Sequence, residues 1–220
     1  MSQNKIRVDI WSDIVCPFCY IGKRRFEAAL HDFSLRGDVE INWRSFQLDP
    51  RLVTQPSKNT IQHLAETKNW SLEYAADMVE YVSQMAAESG LTYHLEKSIV
   101  ANSFDAHRLI QLSKKENKAG ATEEGLFSAY FTEAKNIADH EVLLQTGIKA
   151  GLQEQSIKAM LASDQLSGDV RSDMLEAQKR EVRGVPYFLF NGSFSVSGAQ
   201  DSKIFSNALE KASRMPGTTL

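Results

Sequence analysis

Several features that often define a protein's function are scarce in this chain of 220 residues. Cysteine occurs only twice, and the five histidines are scattered, so neither a second cysteine pair nor a histidine pair completes a zinc site. Basic residues do not outnumber acidic ones, with 25 Lys and Arg against 28 Asp and Glu, which gives no indication of nucleic-acid binding. No apolar run resembles a membrane span or a signal-peptide core. We therefore expect a cytoplasmic chain that binds neither nucleic acid nor membrane.

The two cysteines that are present lie two residues apart, in the segment Cys16-Pro17-Phe18-Cys19. An alternating run at residues 6–11 predicts a strand before them, and apolar residues at helical spacing follow them. Pro17 would be the first helical residue, where its missing N–H costs nothing. A sulfur at Cys16 would then face unpaired N–H groups and the positive end of the helix dipole, which favour a thiolate. Cys19 would lie about one turn further along.

Three functions are open to such a pair. It could be half of a zinc site, but zinc needs further ligands that the sequence does not supply. It could be a structural disulfide, but so short a loop would restrain little of the unfolded chain. It could exchange disulfides, with one cysteine forming a mixed disulfide that the other resolves. The placement between a strand and a helix favours exchange.

The remaining pattern predicts an α/β fold interrupted by helices. We expect strands at residues 5–11 and 39–46, helices at 17–33, 168–183 and 201–214, and a hairpin around a two-residue Asn191-Gly192 turn. Residues 57–163 are helical throughout in this interpretation. The order β-α-β, helical insert, α-β-β-α is that of a thioredoxin-like fold with an inserted all-helical subdomain. Residues 1–50 and 164–220 would form the discontinuous thioredoxin-like domain, and residues 51–163 the insert.

The dipeptide Val185-Pro186 precedes the hairpin. In a thioredoxin-like order, the loop at this point faces the cysteine pair. Most X–Pro bonds in folded proteins are trans, yet in this fold we predict a cis bond. Such a bond would turn the backbone groups of Val185 towards an extended substrate, which could then pair with them as an added strand does.

Four segments give the chain a resemblance to a known family. They are residues 8–23, which contain the cysteines, residues 44–50 (Arg-Ser-Phe-Gln-Leu-Asp-Pro), residues 102–108 (Asn-Ser-Phe-Asp-Ala-His-Arg), and residues 184–186 together with 197–200. Together they span nearly the whole chain and resemble the DsbA-like thioredoxin-fold oxidoreductases. The resemblance is closest to the cytoplasmic FrnE-like branch, whose members are described as dithiol–disulfide oxidoreductases or isomerases.

The resemblance implies a role for particular residues. Cys16 would be the attacking thiolate, Cys19 the resolving thiol and Pro186 the cis-proline across the groove. The helical insert would lie over the active site. Residues expected to contact substrate are Pro17, Phe18, Val185, Asn102 and His107.

Two of the side chains near this site have alternative roles. His107 could tune the thiols or line the groove, or it could simply pack or cap a helix. Asp13, three residues before Cys16, could accept protons or cap the helix.

The expected partners are proteins or small molecules that carry thiols or disulfides, with no tightly bound cofactor and glutathione as a candidate co-substrate. The chain could be a monomer or a homodimer. A strong oxidant would make little sense in a reducing cytosol, so reduction or isomerisation is the expected direction.

Two other functions remain open. The hydroxychromene-carboxylate isomerases and kappa-class glutathione transferases resemble this chain in fold and around Asn102 and His107. They typically carry serine where Cys16 stands and use glutathione, so the presence of both cysteines counts against that activity. A redox-switched binding protein is the second alternative, with the cysteines as its switch.

Overall fold

The computed structural model describes residues 5–215 of the chain. The strands are β1 (Ile6–Ser12), β2 (Val39–Ser45), β3 (Gln55–Asn59), β4 (Ile99–Val100), β5 (Tyr187–Phe190) and β6 (Phe194–Ser197). The α-helices are α1 (Pro17–Asp32), α2 (Thr60–Lys68), α3 (Leu72–Glu88), α4 (Phe104–Lys114), α5 (Ala119–Phe127), α6 (His140–Lys149), α7 (Glu154–Leu161), α8 (Ser167–Lys179) and α9 (Ser202–Ser213). Between residues 5 and 215, no helix is long and apolar enough to cross a membrane.

The described chain divides into two compact units. Residues 5–48 and 173–215 form the sheet unit, and residues 49–172 form the helical unit. The second dividing point therefore lies within α8, nine residues later than the expected boundary at 163/164. The reason is Asp173, whose carboxylate accepts hydrogen bonds from Arg44 Nη1 at 2.7 Å and from the N–H of Ser45 at 3.0 Å. These bonds tie residue 173 to β2 of the sheet unit.

The sheet unit is built on a sheet with the strand order β2-β1-β5-β6. β1 and β2 run parallel along their whole length, from the pair Ile6 and Val39 to the pair Ser12 and Ser45. β5 is antiparallel to both β1 and β6. β1 shows the predicted alternation. Even-numbered residues such as Ile10 face one side of the sheet, and odd-numbered residues such as Trp11 face the other.

Both faces of this sheet are covered. On one face an aromatic cluster joins α1 and α9 to β5, with the Phe26 ring 5.4 Å from that of Phe188 and 5.6 Å from that of Phe205. On the other face Trp11 packs with Leu189 and with Ala177 of α8. The Trp11 indole N–H also donates to the carbonyl of Asp173 at 3.0 Å. The result is the helix–sheet–helix layering of an α/β fold.

The helical unit confirms the apolar stripes that predicted α3, α4, α6 and α7, but the interpretation of residues 57–163 as helical throughout is wrong. Strands β3 and β4 form an antiparallel pair within this range. β3 has the sequence Gln-Pro-Ser-Lys-Asn, which carries a proline and lacks the alternation by which strands are recognised. A π-helical turn at Ser128–Thr132 follows α5 and interrupts the third stripe.

Two boundaries near the hairpin also differ from expectation. α8 ends at Lys179 rather than near residue 183, because Glu181 adopts a left-handed conformation (φ 56°) and the N–H of Val182 reaches back to the carbonyl of Ala177. The hairpin loop contains three residues rather than two, since Phe190 pairs with Phe194. Asn191 and Gly192 both have positive φ, at 48° and 66°, which explains the turn signal.

A candidate dithiol–disulfide exchange site

The two cysteines meet at the start of α1. Cys16 is the N-cap residue, with φ −90° and ψ 112°, and Pro17 is the first helical residue, as the sequence predicts. The N–H of Cys19 donates to the carbonyl of Cys16 at 3.0 Å, which closes the first turn. Both cysteines are present as thiols, and they lie 3.6 Å apart. This separation allows the two sulfurs to form a disulfide with little movement of the backbone.

The surroundings of Cys19 hold its thiol in the protonated form. Burial raises the pKa of Cys19 well above its ordinary value, and hydrogen bonding with Cys16 and the charge of Cys16 raise it further. The N–H of Asp13 and the hydroxyl of Ser12 act in the opposite direction. Cys19 therefore keeps its proton at neutral pH, as suits a thiol that reacts second.

Asp13 holds the backbone around the cysteine pair. Its Oδ2 accepts from the N–H of Leu48 at 2.8 Å and its Oδ1 from the N–H of Val15 at 3.4 Å. Its carbonyl accepts from the N–H of Cys16 at 3.0 Å. Its own N–H points at Cys19 Sγ, 3.5 Å away. These contacts position the backbone before α1, a role that the sequence analysis did not consider, and the two roles expected there, accepting protons or capping the helix, stay predictions.

The loop with Pro186 lies against the cysteine pair within the sheet unit. The Val185–Pro186 peptide bond is cis in this structure. The thiol of Cys16 donates to the carbonyl of Val185 at 3.5 Å, and the carbonyl of Pro186 accepts from the N–H of Gly198 at 2.8 Å. The structure thus brings together Cys16, Cys19, Val185 and Pro186.

Access to the sulfurs is narrow. Cys16 is only 3% exposed and Cys19 only 2% exposed. Phe18, between them in sequence, is 39% exposed and presents an apolar ring to solvent. Of the side chains in this turn, that of Phe18 is therefore exposed while both sulfurs are buried.

Asn102 and His107 lie in the helical unit. The side chain of Asn102 donates to the carbonyl of Leu52 at 2.7 Å and caps α4 by accepting from the N–H of Phe104 at 2.8 Å. His107 lies on the first turns of α4 and is buried. Their expected closeness to the cysteines stays a prediction.

Sequence reasoning missed two residues of the site, Gly22 and Ser12. A Cβ on Gly22 would lie 2.8 Å from Pro186 Cγ, so only glycine lets the Pro186 ring approach α1 this closely. A glycine inside a helical pattern was the available signal. Ser12 ends β1, and its hydroxyl acts to lower the pKa of Cys19. Because Ser12 lies two residues after Ile10 in a strand, the alternation could have placed it on the same face of the sheet as Ile10.

The described residues 5–215 bring together no group of three His, Cys, Asp or Glu side chains that could hold a metal ion. The reactive groups at the start of α1 are the two sulfurs. Their arrangement is suited to forming a mixed disulfide at one sulfur and resolving it with the other.

Comparison with known proteins supports this assignment at the level of the family. The model of the DSBA-like thioredoxin domain matches residues 7–210. A probable DsbA oxidoreductase from Streptomyces coelicolor is 35% identical, with a TM-score of 0.90 over 98% of this chain and 94% of that one.

Two more distant structures share the fold. The cytosolic disulfide reductase DsbM from Pseudomonas aeruginosa, solved with GSH, is 17% identical, with a TM-score of 0.66 over 95% of this chain and 100% of that one. A 2-hydroxychromene-2-carboxylate isomerase is 16% identical, with a TM-score of 0.68 over 94% and 96% of the two chains. With the family model covering most of its length, this chain belongs to the DSBA-like thioredoxin domain family.

Proposed function

We propose that this protein is a thiol–disulfide exchange enzyme in which Cys16 attacks a substrate disulfide and Cys19 resolves the mixed disulfide that results. The observation that carries the proposal is the pair of thiols 3.6 Å apart at the first turn of α1, with Cys16 against the carbonyl of Val185. The N-terminus of a helix favours the thiolate form of a sulfur placed there. Cys19 is buried and protonated, and it therefore reacts in the second step.

The substrate contacts belong to the same proposal. Phe18 and Pro17 would contact the apolar surroundings of the substrate disulfide, since Phe18 is the exposed side chain of this turn. Val185 would pair with an extended substrate backbone, a mode that accepts many sequences because it uses main-chain groups. Asn102 and His107 are likewise proposed to contact the substrate.

The substrate class is a protein or small-molecule disulfide in the cytoplasm, and the expected direction is reduction or isomerisation. A reducing compartment regenerates the dithiol after each turnover, whereas a strong oxidant would need its disulfide restored there. The four sequence segments that resemble FrnE-like proteins support placement in that branch.

Insulin-disulfide reduction with a thiol reductant tests this function. We expect turnover by the wild-type protein, loss of turnover in Cys16→Ser, and trapped mixed disulfides in Cys19→Ser, because each variant removes one of the two attacks. Gly37→Ala is a matched control, since a methyl group at Gly37 meets nothing within 4 Å. Turnover no faster than with the reductant alone would contradict the proposal.

Glutathione-dependent isomerisation or transfer is a second candidate function. Support comes from the shared fold with the hydroxychromene-carboxylate isomerase and with DsbM, which was solved with GSH. It differs from exchange in predicting saturable glutathione binding and an activity that survives Cys19→Ser. Titration of the wild-type protein and of Cys19→Ser with glutathione, measured by calorimetry, separates the two candidate functions. A redox-switched binding protein would instead show a partner complex that changes with redox state and no turnover.

A further inference from the structure

The hydroxyl of Ser12 has no role in the exchange steps proposed for Cys16 and Cys19. It is the last residue of β1, and its side-chain oxygen is completely buried. Within residues 5–215, that oxygen has no hydrogen-bond partner. Together with the N–H of Asp13, the Ser12 hydroxyl acts to lower the pKa of Cys19, against the larger effect of burial. A hydroxyl buried in this way is costly to the fold unless some state of the protein makes use of it.

A second donor points at the same sulfur. The N–H of Asp13 lies 3.5 Å from Cys19 Sγ, at the long end of the range for a hydrogen bond to sulfur. A thiol is a weak acceptor, so both donors are poorly used while Cys19 is protonated. A thiolate is a strong acceptor, because hydrogen bonds to a charged group are shorter and stronger.

We propose that the Ser12 hydroxyl and the Asp13 N–H form a preformed pair of donors, the thiolate pair, which stabilises negative charge on Cys19 while it resolves the mixed disulfide. The inference deepens the proposed function and depends on it. In the step concerned, Cys19 gives up its proton and its sulfur attacks Cys16 Sγ. The Cys16–Cys19 bond forms, the bond from Cys16 to the substrate sulfur breaks, and the departing substrate thiolate takes up a proton. The protein dithiol is oxidised by two electrons, and the substrate disulfide is reduced.

The thiolate pair offsets the effect of burial on the ionisation of Cys19. Removing Cys19 from water makes its thiolate costly to form, and the resolving step requires that thiolate. Donors fixed before the reaction stabilise the charge without having to reorganise when it appears, which is the principle of an oxyanion hole. In this proposal the Ser12 hydroxyl would donate to a reacting atom, and Ser12 is therefore a catalytic residue.

The test separates the two attacks in a single turnover. The reduced protein is mixed with dithiobis(nitrobenzoate), an aromatic disulfide that releases one coloured thiolate when Cys16 attacks and a second when Cys19 resolves. We expect Ser12→Ala to slow the second release about tenfold and to leave the first within about twofold of wild type, since a lost hydrogen bond to a charged group has an effect of this size. The pH midpoint of the second release should rise, and Ser12→Thr, which keeps the hydroxyl, should restore both values.

Ser113→Ala is the matched control. It also removes a buried serine hydroxyl, but one in the helical unit that donates to the carbonyl of Ile110 at 2.7 Å. The inference is overturned if the second release in Ser12→Ala stays within about twofold of wild type, or if Ser113→Ala slows it equally. A wild-type protein that gives no second release, or a Cys16→Ser variant that still reacts like wild type, overturns the proposed exchange function itself.

Discussion

Each unit of the chain brings a glycine into close contact with another side chain, and the two neighbours differ in stiffness. In the sheet unit a Cβ on Gly22 would lie 2.8 Å from Cγ of Pro186. In the helical unit a Cβ on Gly147 would lie 2.6 Å from Cδ1 of Ile157. The proline ring cannot rotate away, whereas the end of an isoleucine side chain can. The first contact therefore fixes the position of a backbone loop, and the second only fills a core.

The two units also bury arginines for different purposes. Arg44 in the sheet unit bridges two carboxylates, at 2.9 Å to Asp9 and 2.7 Å to Asp173. Arg108 in the helical unit instead donates to main-chain carbonyls, among them that of Gln165 at 2.8 Å, and pairs with Asp105 on its own helix. Arg44 thus pairs with charges from distant parts of the sequence, whereas Arg108 donates to uncharged main-chain carbonyls at and beyond the end of α7.

The largest effect should come from the charge network of the sheet unit. Asp173→Ala removes one of the two carboxylate partners of Arg44 and the acceptor for the N–H of Ser45. We expect a loss of about 3 kcal/mol in the free energy of unfolding, because a half-buried guanidinium loses one of its partners and a buried backbone donor loses its acceptor. Denaturant unfolding measures it. Glu210→Ala is the control, since Glu210 pairs with Arg214 on the surface and should cost less than about 0.5 kcal/mol. Equal losses in the two variants would contradict the comparison.

The next effect tests the stiff contact at the site. Gly22→Ala forces α1 and the Pro186 loop apart, because the ring cannot yield. We expect insulin reduction to fall at least about tenfold, with a loss of about 2 kcal/mol in stability from overpacking. Gly168→Ala is the helical control, since a methyl group there meets nothing within 4 Å. Full activity in Gly22→Ala would show that the loop tolerates displacement.

The corresponding change in the helical unit should be milder. Gly147→Ala crowds Ile157 and Leu109, both of which are fully buried, but it also replaces a helical glycine by a better helix former. We expect a net loss of about 1 kcal/mol in the free energy of unfolding and no direct change at the cysteines. The rate of Cys16 alkylation, measured in Gly22→Ala and in Gly147→Ala, tests this difference, since only the first substitution should alter the surroundings of Cys16. A change in that rate in Gly147→Ala but not in Gly22→Ala would reverse the interpretation.

The smallest effect concerns pH. Burial, followed by the hydrogen bond and charge of Cys16, raises the pKa of Cys19 in the folded protein. Its contribution to stability is therefore fully present below the cysteine pKa of the unfolded chain and is lost as pH rises towards the folded pKa. Relative to Cys19→Ala, the reduced protein should lose about 0.8 kcal/mol between pH 7 and pH 9. Denaturant unfolding at a series of pH values under reducing conditions measures this difference, and a pH-independent difference would contradict it.

The sequence predicted the sheet unit better than the helical unit. Alternation in β1 and β2, the proline at the start of α1 and the Asn191-Gly192 signal each report a local preference that the fold kept. The strand β3 was missed, because its four polar residues and one proline carry no alternation and pair only where β4 supplies a partner. The early end of α8 was also missed. The left-handed residue at this end is Glu181 rather than glycine, which is the usual sequence signal for a helix end.

By itself, the sequence determined the local arrangement of the two sulfurs on which the proposed chemistry depends. Two cysteines in Cys-Pro-Phe-Cys between a strand and a helix are a local arrangement, and local spacing is sufficient to place one sulfur at a helix N-terminus and the other a turn away. Only the tertiary structure decided which residues surround those sulfurs. Gly22 meets Pro186 although 164 positions separate them in the numbering, and the N–H of Asp13 points at the sulfur of Cys19 from the end of β1. Such contacts depend on the packing of whole elements, which no short stretch of sequence encodes.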